Sequence, residues 1–342
     1  MWRTITIALP VACAALTTLL AAAGPDEAIR GRAMGTGYTV KLADHTSEVE
    51  RGELARAVQD ELERLEQIFS LYREQSELSR WNAAPAGDWL VVSDDLFRVA
   101  RQALQLAEET EGAFDPTVAP LVRLWGMREV AGDWRPPSPA AVRAALASVG
   151  RRHVELRPDP PAIRKRRAGV ELDLNAVVEG YAIDRLVELL QAAGVRGALV
   201  ELGGEFRAFG RRGDGRPWRV GIEDPRRPAS LYAVVDLVDG ALATSGDYRQ
   251  ALVHDGVRYA HLLDPRTGSP IAHSGTAVSV LADDALTADG WATALMILGP
   301  DAGRKLAEQQ GLAASFVRRD PPDTVPERTR AASDRIIPLS KP

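Results

Sequence analysis

Asp289 and Thr293 stand four residues apart in a segment patterned as a helix, so their side chains project from one face. A carboxylate beside a hydroxyl oxygen is a partial shell for Mg²⁺, which takes few protein ligands and completes its sphere with waters and substrate phosphates. Read on spacing alone the pair is a weak signal, and an acidic side chain favoured by the positive end of a helix dipole fits it better. His261 lies in the run Tyr259-Ala260-His261-Leu262-Leu263, which leads into the turn signal Asp264-Pro265-Arg266-Thr267-Gly268. A histidine between a strand and a loop can serve as a general base, or it can be a satisfied residue at a sheet edge. The other four histidines have no such setting. Gly203-Gly204 follows an apolar strand and would let backbone approach a phosphate, or be a plain turn. Phe114-Asp115-Pro116-Thr117 follows a helix end as a loop or cap, and Tyr72, Trp81 and Trp125 could stack on a planar ring or pack in the core. No P-loop, GxGxxG, GxSxG or HExxH motif is present.

The elements that must position these residues can be read from periodicity. Glu53 to Leu71 and Asp94 to Thr110 carry apolar residues at helix spacing, as do Gly180 to Ala193 and Ala288 to Leu298. Gly299-Pro300 closes the last of these, and Gly303 to Gln310 follows as another helix. Ser138 caps a short helix over Ala140 to Val149. Strands are expected at Gly31 to Leu42, Val154 to Leu156, Val170 to Leu174 and Ala198 to Leu202. Further strands are expected at Trp218 to Ile222, Ala233 to Leu237, Gly240 to Thr244, Gln250 to His254, Tyr259 to Leu263 and Ala277 to Leu281. Helices and antiparallel-looking strands come in blocks rather than in β-α-β alternation. This predicts an α+β fold: mixed, largely antiparallel sheets flanked by helices in a single catalytic body.

The chain has 342 residues and a net charge of −5, so no basic surplus points to nucleic acid. Arg164-Lys165-Arg166-Arg167 is the one conspicuous basic run, and it reads as a solvated loop or hairpin. The only cysteine, Cys13, lies in an apolar N-terminal stretch, which leaves the body without disulfide, thiol nucleophile or cysteine metal ligand. Arg3, the apolar run Ile5 to Leu20, and Ala21-Ala22-Ala23 before Gly24-Pro25-Asp26-Glu27 match a secretory leader over residues 1–23. An uncleaved anchor and lipid attachment at Cys13 are the alternatives. A body over 24–319 and a charged, Pro-rich tail over 320–342, orderable only at Ile336 to Leu339, complete the division.

In chain order these pieces resemble the FAD:protein FMN transferase (ApbE) family. The resemblance is carried by Met34-Gly35-Thr36, by Phe69-Ser70 with Tyr72, by Ser76 to Asn82, by Gly112 to Val118, and by Pro120-Leu121 with Leu124-Trp125-Gly126. It continues through Asp173-Leu174, Glu179 to Asp184, Gly203-Gly204, Thr244 to Arg249, His261 to Gly268 and Ala288 to Thr293. It implies transfer of FMN from FAD to a Thr or Ser hydroxyl of a target flavoprotein, with Mg²⁺ bound and AMP released. It places flavin-nucleotide contacts on Met34, Tyr72, Ala113, Phe114, Asp115, Glu179, Arg185 and Leu263. Metal contacts fall on Asp289, Thr293 and the main-chain carbonyl of Ala182, with Asp184 supporting that loop and His261 as the candidate base. Many members have Lys where Glu179 stands, and some have a second acidic residue where Ala292 stands, which implies a thinner metal shell here. An FAD diphosphatase and a non-catalytic periplasmic FAD-binding protein are the other readings. Acceptors are expected among membrane respiratory or electron-transfer flavoproteins with domains outside the cytoplasm.

Overall fold

The alternation over Gly31 to Leu42 folds as a hairpin rather than one strand: β1 (Ala28–Ala33) and β2 (Thr36–Leu42) pair antiparallel around a turn at Met34-Gly35. Met34 adopts φ 52° and Gly35 φ 78°, so the chain reverses through left-handed backbone. The computed structural model describes residues 28–43, 47–127, 134–227, 229–247, 251–273, 276–318 and 324–339. The expected leader, its cleavage site and Cys13 lie outside them.

Helices follow where the apolar spacing demands, with earlier starts. α1 (Glu48–Phe69) begins at a capping box in which Ser47 and Glu50 satisfy each other's backbone amides. α2 (Glu77–Ala83) precedes the short β3 (Leu90–Val91), then α3 (Asp94–Glu109), α4 (Ala119–Trp125) and α5 (Pro139–Leu146). β4 (Val154–Pro158) and β5 (Pro161–Lys165) form a hairpin with β3 at its edge. The basic run ends the second strand of this hairpin at Lys165 and continues past it through Arg166 and Arg167, and Lys165 turns inwards, donating to the Asn82 carbonyl at 2.8 Å over the Trp81 ring. The strand expected at Val170 to Leu174 is absent. Asn82 there takes the place of a strand partner: its Oδ1 accepts from Leu172 N–H at 2.8 Å and its Nδ2 donates to Leu172 O at 2.9 Å.

α6 (Asn175–Ala192) leads into β6 (Ala198–Leu202) and β7 (Glu205–Phe209), then β8 (Trp218–Glu223), β9 (Leu231–Leu237) and β10 (Gly240–Gly246). A hairpin of β11 (Ala251–His254) and β12 (Val257–Ala260) precedes the short pair β13 (Leu263–Asp264) and β14 (Ser269–Pro270). β15 (Thr276–Ala282), α7 (Ala285–Gln309) and β16 (Ala313–Arg318) follow. α7 breaks at Gly299, φ 79° and ψ 169°, just before Pro300. Beyond residue 319, β17 (Glu327–Arg328) pairs with β16 and β18 (Ile336–Pro338) with β9, so ordered structure extends past the segment singled out in the tail.

The central sheet has eight strands in the order β1-β2-β6-β7-β10-β15-β16-β17, antiparallel throughout. α1, α6 and α7 bury one face in a core that includes Leu62, Leu186, Leu295 and Val280. The other face packs Leu199, Phe206, Leu242 and Leu281 against Trp218, Ile222 and Val235 of the three-stranded sheet β18-β9-β8. This is the expected α+β body with largely antiparallel sheets. It brings the β1–β2 and β6–β7 turns to one sheet end, where Gly203 N–H reaches Gly37 O at 3.3 Å.

Candidate active site

The site is built where α6 crosses α7. Gly180 permits the approach: a Cβ there would lie 2.3 Å from the Ala285 carbonyl oxygen and 2.9 Å from Asp289 Cβ. One turn on, Asp184 accepts from the first amides of α7, Ala285 N–H at 2.8 Å and Leu286 N–H at 3.0 Å, and from Arg207 Nη1 on β7 at 2.6 Å. These bonds satisfy donors that a helix start leaves open and fix α7 against α6. Burial raises the Asp184 carboxyl to about 6, against the pull of Arg207 and both amides. Asp289 is then presented to Gly180, whose N–H donates to its Oδ2 at 3.1 Å. Thr293 lies one turn further, with Oγ1 3.1 Å from Ser245 Oγ at the end of β10. Both side chains are buried, at 6% and 7% exposure, which fits a site reached by substrate rather than by bulk water.

Two further carboxyls face this point. A Cβ on Gly203, φ 68°, would meet Glu179 Oε2 at 2.1 Å and Glu205 Oε2 at 3.1 Å, so only glycine leaves room for them. Burial, followed by the Glu179 and Asp289 charges, pushes Glu205 well above the usual carboxylate range. Burial, then Glu179, does the same to Asp289, and burial raises Glu179. Among the described residues no donor reaches Glu205 Oε2, which is shut from solvent, so only a proton shared with Glu179 could bond it there. Buried like charges with unmet acceptors are costly unless protons or a cation neutralise them, so the donor set fits a hard divalent cation. Among the described residues no three His, Cys, Asp or Glu side chains make a metal shell by themselves. A carboxylate, a hydroxyl, waters and a diphosphate would nonetheless satisfy Mg²⁺. Ala182 is fully buried within unbroken helix. Its carbonyl points along the helix toward the amide four residues on, leaving one lone pair for a metal.

The residues expected to contact the flavin nucleotide fall on several separate elements. Met34 sits in the β1–β2 turn beside Gly203-Gly204, its N–H held by Glu66 Oε1 at 2.7 Å. Ala113, Phe114 and Asp115 are buried. Phe114 N–H donates to Thr110 Oγ1 at 3.1 Å, and Asp115 accepts from Thr117 N–H, Thr117 Oγ1 and Arg151 N–H at 2.6–2.9 Å. The Asp115 carboxylate is thus engaged in shaping its own loop. Tyr72, 69% exposed, edges a cavity of about 570 Å³ lined also by Ser79, Asn82, Arg123 and Glu171. Arg185 stands away from the Glu179 side of α6 and pairs with Glu61 of α1 at 3.2 Å and with Glu188. Leu263 is buried with Leu121, Trp125 and Val142.

His261 joins β12 to β13, half-buried. Its loop is clamped from two sides. Trp125 Nε1 donates to Gly268 O at 2.8 Å, and the Trp125 and Trp134 rings pack on Tyr259. Arg258 Nη1 pairs with the buried Asp247 at 3.1 Å, tying β12 to the end of β10 that carries Ser245. Glu205, Ser245 and Arg207 were not among the candidate residues. The available signals were an acidic residue directly after Gly203-Gly204 and a hydroxyl within Thr244 to Arg249.

The sequence model of the ApbE family matches residues 34–316. A FAD:protein FMN transferase of Vibrio cholerae is 36% identical over 301 residues, covering 87% of this chain and 90% of the relative. One from Escherichia coli strain K12 is 33% identical over 295 residues, covering 85% and 84%. The crystal structure of the Pseudomonas stutzeri flavinyl transferase ApbE, in apo form, superposes with a TM-score of 0.80 at 39% identity, covering 90% of this chain and 96% of that one.

Proposed function

The chain belongs to the ApbE family and is a flavin transferase; from that premise we propose that it moves FMN from FAD to a Thr or Ser hydroxyl of an acceptor flavoprotein in a Mg²⁺-dependent reaction. The acceptor oxygen bonds to the FMN-side phosphorus, the phosphorus–oxygen bond to AMP breaks, and the hydroxyl proton passes to His261. A hydroxyl is a weak nucleophile near neutral pH, which is why a positioned base helps. Asp289, Thr293 and the Ala182 carbonyl would hold the metal, whose charge offsets that of the diphosphate. Glu179, Met34 and the Ala113-Phe114-Asp115 segment would orient the nucleotide, and the clamps on Tyr259 and Gly268 fix the base. Without a second acidic residue at Ala292, more of the metal sphere falls to water.

The observation that supports this reading is Asp289, buried beside Thr293 and set among carboxyls whose charge a proton or a cation must offset. We place the enzyme outside the cytoplasm on the leader, serving acceptor domains of membrane respiratory or electron-transfer complexes. The test incubates the protein with FAD, Mg²⁺ and a candidate acceptor domain, and reads acceptor mass and nucleotides. An FMN-sized mass gain with AMP released is expected. Free FMN and AMP without a mass gain would assign a diphosphatase instead, and unchanged FAD would assign a binding protein. Asp289→Ala should abolish turnover by at least about 100-fold, as loss of a key transition-state contact does, without lowering the melting temperature. Unchanged turnover in that variant would remove Asp289 from the metal site.

A further inference from the structure

The basic run Arg164-Lys165-Arg166-Arg167 takes no part in the transferase site. Residues 151–167, the β4–β5 hairpin with the 3-10 turn before it, contain seven Arg and Lys against two acidic side chains, in a chain whose net charge is −5. Lys165 is buried, but the six arginines reach the surface in whole or part. Arg164 Nε and Arg166 Nε both lean on Glu155, at 2.5 and 2.6 Å, and Arg151 pairs with Glu108 at 3.0 Å. One carboxylate shared by two guanidiniums leaves positive charge over. Arg152 and Arg167 are exposed, and among the described residues Arg157 Nε is shielded from solvent without a hydrogen-bond partner. Burial, then the Arg152 and Arg167 charges, hold the His153 imidazole below its usual value, so both arginines lie within electrostatic reach of His153.

The same small sheet carries an aromatic and apolar component. Trp89 lies against two guanidiniums, with Arg157 Cζ 5.0 Å and Arg164 Cζ 4.6 Å from its ring centroid. Val91, on the edge strand β3, is 67% exposed. Guanidiniums matched to phosphate, beside Trp and an exposed aliphatic side chain, are the chemistry of the headgroup region of a membrane: charge attracts phosphate, and the indole settles at the boundary. We propose that the β3–β5–β4 face binds the anionic phospholipid surface of a membrane. It is an electrostatic and interfacial contact, since no described helix is long and apolar enough to cross a membrane. The hairpin also touches the nucleotide end of the fold, because Arg151 N–H caps Asp115 at 2.9 Å. Docking by this face would therefore set the site at a defined attitude to the bilayer.

The test is co-sedimentation of the purified protein with phosphatidylcholine vesicles, with and without roughly 30% phosphatidylglycerol, at about 50 and about 300 mM NaCl. Binding to the anionic vesicles alone, released by the higher salt, is expected. The double variant R152E/R167E should weaken it by about tenfold or more, while its melting temperature and its FMN transfer to a soluble acceptor stay at wild type, since both side chains lie exposed on the surface. Trp89→Ala should weaken binding in a way that salt does not mimic. Any leader contribution is common to all these proteins and drops out of the comparison. Equal binding to neutral vesicles, or undiminished binding by R152E/R167E, would overturn the proposal. So would capture of an acidic acceptor domain through these arginines with no vesicle binding, which would make the face a protein contact.

Discussion

Gly180→Ala adds one methyl group at the point where the site is assembled. In an isolated helix the change would help, by about 0.8–1 kcal/mol of propensity. Here the new carbon would lie 2.3 Å from the Ala285 carbonyl oxygen and 2.6 Å from its carbon. Both are backbone atoms, which no rotamer change can move aside. Restoring an ordinary carbon–oxygen contact needs about 1 Å of separation between α6 and α7. That shift stretches the 3.1 Å bond from Gly180 N–H to Asp289 and the two bonds from Asp184 to the start of α7. Overpacking costs about 1–3 kcal/mol, and weakening bonds to buried carboxylates adds about 1.5–3 kcal/mol. After the propensity gain, the net loss is about 2–5 kcal/mol, or roughly 3–7 °C in melting temperature for a chain of this size. A 1 Å displacement of Asp289 should also cut turnover by about 100-fold. Thermal unfolding and a Mg²⁺ titration of FMN transfer would measure both effects. A variant melting within about 2 °C of wild type, with unchanged turnover and Mg²⁺ requirement, would refute the idea that this contact sets the site.

His261→Ala should slow transfer far more than it weakens FAD binding, measured by flavin fluorescence; equal loss of both would make the histidine structural. Glu205→Gln removes one of the crowded carboxyls. Because burial and neighbouring charges raise Glu205 and Asp289, their ionisation disfavours the folded state, so the stability these two groups contribute without metal is fully present below the unfolded carboxylate range and is lost as pH rises through the raised folded values. Melting curves from pH 4 to 8 should show that decline in the wild type and a shallower one in Glu205→Gln; parallel curves would mean the glutamate is not a source of repulsion. Trp125→Phe removes the 2.8 Å bond to Gly268 O, leaving a buried acceptor unmet at about 1–3 kcal/mol. It should lower kcat for transfer with little change in KM for FAD, and an unchanged kcat would show that the loop needs no such clamp.

The helix faces were legible because period and caps agree: Ser93 opens α3 and the break in α7 falls at Gly299-Pro300, as read. The one-face geometry of Asp289 and Thr293 follows from spacing alone. What the chain did not disclose depends on partners distant in sequence. Alternation over Gly31 to Leu42 gave no hint of the Met34-Gly35 reversal, since methionine seldom adopts left-handed backbone; its N–H is anchored by Glu66, 32 residues away. Val170 to Leu174 has a strand's composition, but the side-chain amide of Asn82 meets its hydrogen bonds. Glu205 entered the site because β6–β7 turns against α6, a tertiary event that local pattern does not encode. Of the basic run, only Lys165 departs from a surface hairpin, drawn in by Trp81 and the Asn82 carbonyl.

Asp184 reaches Arg207 across 23 residues and the amides of Ala285 and Leu286 across 101 and 102. A single carboxylate thus closes a short loop and a very long one on the same atoms. Contacts of such sequence separation are slow to form, because the entropy of loop closure comes before the reward. In a chain that emerges N-terminus first, from a ribosome or an export channel, α6 and β7 are present before α7 exists to be capped. In that interval Asp184 has only Arg207, and the surface intended for α7 stays open to chaperones and proteases. Regain of flavin transfer after denaturation should accordingly lag behind regain of helical signal, with the closing of the Asp184 contacts as the step that separates a folded-looking chain from a working one.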